Sequence, residues 1–169
     1  LEDKMAHYDL TSGNVVLSEH DVAEKVYERL SEKEFVEVIS DTTETGVTLD
    51  IPMTELPDTP GLYLIYHKGD FNQYECMYAG EGNIRYRVYR FEKELADKSR
   101  EDEGHSAAKK VRRTGFIRHG DPVYVKYITK AERDSVVVDT LCKYLRLKNI
   151  DEHIAHIAGA KFNKRVKKA

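Results

Sequence analysis

Two short runs, GLYLIY (61–66) and YECMYA (74–79), flank the polar link HKGDFNQ, and a one-faced helix follows at once. Both runs are short and rich in strand-forming residues, and the link is long enough only to turn the chain back. The pair therefore reads as an antiparallel hairpin. Gly80 and Gly82 are expected to break the second strand, and Asn83 to cap the helix after it. Ile84, Val88, Phe91 and Leu95 recur at i, i+4, i+7 and i+11, which predicts a helix over 84–97 with one apolar face. Arg87, Arg90 and Glu94 lie along one edge of that stripe, and Arg85 points elsewhere.

The remaining elements follow from the same periodicities. Residues 18–33 read as a helix capped by Ser18, with Val22, Val26 and Leu30 as a narrow stripe. FVEVIS (35–40) and GVTLDI (46–51) read as strands. TELPDTPG (54–61) marks a boundary between an N-terminal extension, 1–57, and a body, 58–169. Beyond the charged loop 96–105, Ser106 caps a short helix, 107–114. VYVKYI (123–128) alternates as a strand. A last long helix is expected over 131–147, with Val137, Val138, Leu141, Cys142 and Leu145 on one side. The tail KFNKRVKKA is expected to fray. The body thus reads β-β-α-α-β-α: an α+β fold with a small three-stranded antiparallel sheet flanked by helices.

Charge is unevenly spread. Residues 1–60 hold 15 acids and 4 bases, and residues 61–169 hold 15 acids and 23 bases. A basic body points to a polyanionic partner. Lys109, Lys110, Arg112, Arg113 and Arg118 share a stretch without an acid, and the tail adds Lys164 and Arg165 among others. Such runs suit a DNA backbone, with Arg90 beside them; alone, they also suit a solvated face. No apolar run is long enough to span a membrane, and the polar opening LEDKMAHYDLTSG lacks the apolar core of a signal peptide. Cys76 and Cys142 sit in apolar stretches and read as reduced core residues, which points to a cytoplasmic setting. His153 and His156 share a helix face without a third ligand and read as structural.

The ordered short motifs resemble those of the GIY-YIG nucleases. Gly61-Leu62-Tyr63 stands where that family has its Gly-Ile-Tyr strand, and Tyr78-Ala79-Gly80 where it has Tyr-Ile-Gly. Asn83-Ile84 opens the following helix, and Arg87 comes three residues after Ile84. His105-Ser106 precedes the short basic helix, His119-Gly120 precedes the next strand, and Asn163 lies near the end. The resemblance spans residues 61 to about 163. It implies a divalent-metal-dependent DNA endonuclease using Mg²⁺ or Mn²⁺, with Tyr63, Tyr78, Arg87, His105 and Asn163 at the catalytic site. The family's metal-binding Glu has no clean match: Asp139 holds the aligned place, and Glu132 is the alternative. Specificity would come from residues 96–114 or from a homodimer.

The chemistry fits these residue types. A hard cation takes oxygen ligands and needs few from the protein. Arg offers phosphate a planar pair of donors and keeps its charge. Tyr, titrating near 10, aligns a water or takes its proton only beside a cation. Each residue also has a plainer reading. Tyr63 and Tyr78 are common strand residues. Glu132 suits its helix's first turn, and Asp139 stands four residues before Lys143. A nucleic-acid-binding module with a weakened site is the alternative to an enzyme. A third reading gives the acidic extension a basic partner, or lets it cover the site in place of DNA.

Overall fold

The computed structural model describes residues 7–8, 15–16, 19–43, 46–50, 56–96, 106–117, 122–139 and 150–163. In chain order these form β1 (His7–Tyr8), β2 (Val15–Val16), α1 (Glu19–Ser31), β3 (Val36–Thr43), β4 (Gly46–Asp50), β5 (Pro60–Lys68), β6 (Tyr74–Asn83), α2 (Ile84–Ala96), α3 (Ser106–Thr114), β7 (Val123–Thr129), α4 (Lys130–Asp139) and α5 (Ile150–Ala158). The α+β class holds. The expected strand count of three does not: the antiparallel sheet runs β3-β7-β5-β6 and is extended by β4 beyond β3. The added strands come from the acidic segment, where Val36 pairs with Val125 and Val38 with Val123.

Period-2 alternation sorts β5 between two cores. Leu62, Leu64 and Tyr66 face one side, where α1 contributes Val22, Val26 and Leu30, α4 contributes Val136, and α5 contributes Ile150, Ile154 and Ala155. Tyr63 and Ile65 face the other, under Ile84, Val88, Phe91 and Leu95 of α2 and Ala107, Ala108 and Val111 of α3. Both helical stripes read from the sequence are thus buried, and each fully buried Leu, Ile or Val contributes about 1.5–3 kcal/mol. α1 shares this core, and β3 this sheet, with the residues after 58.

Two departures from simple alternation shape the site. Pairing shifts register between Ile65, opposite Tyr78, and Tyr66, opposite Cys76, so Met77 is an extra residue in β6. Cys76 stays in the α1/α5 core, while Met77 and Tyr78 both turn toward α2. The glycines, moreover, do not break β6, which runs through Gly80 and Gly82 to Asn83, with Gly82 at φ 138°.

The expected helix 131–147 is observed as α4 up to Asp139, and residues 140–149 lie outside the described residues. α5 was not among the expected elements. After it, Gly159 adopts φ 68° and residues 161–163 run along β6; the rest of the tail expected to fray, 164–169, lies outside the described residues. Lys161 N donates to Cys76 O at 3.2 Å and Phe162 N to Met77 O at 2.9 Å. These bonds occupy groups that an edge strand otherwise exposes. No helix among the described residues is long and apolar enough to cross a membrane.

Candidate active site

Tyr63 sits opposite Gly80 in the β5–β6 ladder. Its ring lies across that glycine, so a methyl group at position 80 would collide with the Tyr63 hydroxyl and come within 2.8 Å of Tyr78 Cε2. The glycine of the second motif is therefore a floor for the first motif's tyrosine. The two tyrosine rings are 6.2 Å apart and inclined by 40°. Gly82 plays the same part for Arg87, whose Nε would lie 2.9 Å from a Cβ there. Arg87 itself is exposed on the first turn of α2. Asn83 fixes that turn, accepting from Tyr86 N at 2.9 Å. Glu94, expected along the same edge, is buried instead.

Electrostatics ties the group together. Burial raises the Tyr63 phenol well above its ordinary value; Tyr78 adds to the rise, Arg87 opposes it, and Asp151 adds again. Burial also raises Tyr78, with Asp151 adding and Arg87 opposing. Both hydroxyls hold their protons and can donate to an anion. Asp151, in the first turn of α5, was not among the expected site residues. Burial raises its carboxyl above the usual range, and Glu81 and Glu152 push it further, against opposing backbone N–H groups of its helix turn. Asp151 is thus disfavoured in its ionised form, and its charge is felt by both tyrosines. Among the described residues no three His, Cys, Asp or Glu side chains form a closed metal cage.

Glu132 is committed elsewhere. Its amide donates to Thr129 Oγ1 at 3.2 Å, and its Oε1 accepts from Thr129 N at 3.4 Å, a reciprocal cap on α4. Its other oxygen pairs with Lys33 Nζ. Burial disfavours its charge, but Lys33 and the Thr129 donors outweigh that and hold the carboxyl below its usual value. Both Glu132 oxygens are thus engaged, one by the cap and one by Lys33. Asp139 ends α4, and its side chain lies outside the described residues.

Asn163 is brought to β6 beside Tyr78 and Gly80. Its Oδ1 accepts from Ala79 N at 2.9 Å and its Nδ2 donates to Ala79 O at 2.7 Å. With both ends engaged on the backbone between Tyr78 and Gly80, it positions the strand rather than a phosphate. Arg90 Nη1 donates to Tyr86 OH at 3.2 Å, on the exposed side of α2. Lys110 and Arg113 are exposed on α3 and Lys109 is half-buried there. His105, Arg118, Lys164 and Arg165, and the side chain of Arg112, lie outside the described residues. Cys76 is buried, its thiol pushed up to about 12 by burial; Cys142 lies outside. No family model, no curated protein and no solved structure matches the chain.

Proposed function

We propose that the chain is a DNA endonuclease that uses a divalent cation, Mg²⁺ or Mn²⁺, at a GIY-YIG type of site. The observation that carries the reading is the ledge Gly80–Gly82, over which Tyr63 and Arg87 lie with Tyr78 alongside. Phosphodiester hydrolysis puts extra negative charge on the phosphate oxygens in the transition state, and fixed donors aimed at that charge lower the barrier. Arg87 is exposed and carries a guanidinium fork suited to those oxygens. Tyr63 and Tyr78, protonated and held by packing, donate to the phosphate or align the attacking water. A cation held by Asp151 would supply Lewis-acid polarisation of the phosphate and activation of the water. Asn163 keeps the β6 edge straight beneath them. Lys109, Lys110 and Arg113 of α3, with Arg90 of α2, offer charges for the DNA backbone.

Supercoiled plasmid nicking in Mg²⁺ or Mn²⁺, against EDTA, tests the reading. Arg87→Ala is expected to reduce nicking by about a thousandfold, with an unchanged thermal midpoint because Arg87 is exposed. Nicking at the wild-type rate in that variant sinks the assignment. DNA bound but never cut, at any metal concentration, would favour a binding module instead.

A further inference from the structure

Arg133 on α4 is only 4% exposed. Burying a guanidinium is costly unless its charge and donors are matched. Two of its contacts go to the next residue: Nε and Nη2 donate to Asp134 Oδ1 at 3.3 and 3.2 Å. Those could form equally well in solvent. The contact that draws Arg133 beneath the sheet is Nη1 to Glu81 Oε1, at 2.7 Å. Glu81 stands between the two glycines of the ledge. By strand alternation its side chain leaves the face opposite the one that carries Tyr63 and Arg87.

We propose that Arg133 is a positioning residue that acts through Glu81 to hold Gly80–Gly82 in one conformation beneath Tyr63 and Arg87. The need is physical. Glycines lose the most freedom on ordering, and this stretch has two of them in three residues. It lies on the edge strand, with β5 as its single neighbour in the sheet. Neither glycine has a side chain to pack against α2. Asn163 pins Ala79, one residue before the stretch, and Glu81 is the one side chain inside it by which the core can grip. The rings above rest on that floor, so a shift in the ledge moves Tyr63 and Arg87 together.

The anchoring does not depend on the nuclease reading; its catalytic consequence does. Glu81→Gln and Arg133→Lys, each in the full chain, separate the two. The first readout is amide hydrogen exchange at Gly80, Glu81 and Gly82, with Leu64 and Val125 as internal references. Glu81→Gln is expected to speed exchange about tenfold at the three ledge amides and leave the references unchanged. Arg133→Lys, which keeps a cation within reach of Glu81, should retain most of the protection. The second readout is plasmid nicking, where Glu81→Gln should lower kcat about tenfold at constant KM, the sign of misplaced transition-state contacts. Unchanged exchange at the ledge overturns the anchoring. Faster exchange with unchanged kcat overturns its catalytic role. Faster exchange in Glu81→Gln, with a wild type that never cuts DNA, upholds the anchoring and rejects the nuclease reading alone.

Discussion

The N-termini of α4 and α5 both carry acids, and the chain uses them in opposite ways. At α4, Glu132 is met by its cap partner Thr129 and by Lys33, and its carboxyl titrates below the usual value. At α5, Asp151 is half-buried with the charges of Glu81 and Glu152 nearby, and its carboxyl titrates above it. Helix termini favour anions in both cases. At α5 that favour is overridden by desolvation and like charge. A carboxylate satisfied from every side has little left to offer a ligand. One kept in deficit gains from any cation that arrives, which is why perturbed acids gather at working sites.

Asp151→Asn is the hardest test of this contrast. Cleavage in Mg²⁺ should fall about a hundredfold or more, as for loss of a metal-ligating carboxylate. Stability should move the other way. Asp151 has a folded pKa raised above its unfolded one, so its contribution is fully present below the ordinary carboxylate range and is lost as pH rises through the folded value. The Asn variant should therefore melt higher than wild type near pH 7, and the gap should close toward pH 4. A lower melting point at pH 7 would mean that Asp151 is a structural acid like Glu132.

Gly80→Ala comes next in size. The added methyl meets the Tyr63 hydroxyl and Tyr78 Cε2, and overpacking of this kind costs about 1–3 kcal/mol. Urea unfolding followed by tyrosine fluorescence would measure it. Adding Tyr63→Phe removes the atom in the way and should return part of the stability, but none of the cleavage. Recovery of both would show that the hydroxyl has no part in the reaction.

How much of this was legible beforehand depends on whether the information is local. The α2 stripe and its Asn83 cap are local, and both were readable. So was the GLY/YAG pair, but not the reason it works. Strict alternation would leave Tyr78 on the side of Cys76, and only the extra residue at Met77 turns it toward Tyr63. Strand β3 showed an alternating pattern, yet its pairing with β7, Val38 against Val123, is set by tertiary packing that no local pattern encodes. Asp151 lies on α5, beyond the helix expected over 131–147. A signal existed: Ile150, Ile154 and Ile157 fall at i, i+4 and i+7 before Gly159, the pattern of one more helix with acids in its first turn. That this helix packs beside β6 was not visible without the fold.

Glu132→Gln carries the smallest expected effect and completes the contrast. The Gln amide oxygen can still serve the α4 cap, so what is lost is the charge. Its side chain is 37% exposed, and solvent screens the Lys33 pair, so the loss at pH 7 should be about 0.5–1 kcal/mol. The sign is opposite to that at Asp151. A carboxyl with a depressed folded pKa contributes stability that is present above its ordinary value, 4.5, and is lost as pH falls through the folded one. The difference in melting point between Glu132→Gln and wild type should thus be largest near neutrality and vanish in acid, while cleavage stays at the wild-type rate. If cleavage fell with Glu132→Gln as far as with Asp151→Asn, the two helix ends would have to share one site, and an acid held by its own cap would have to leave it to serve there.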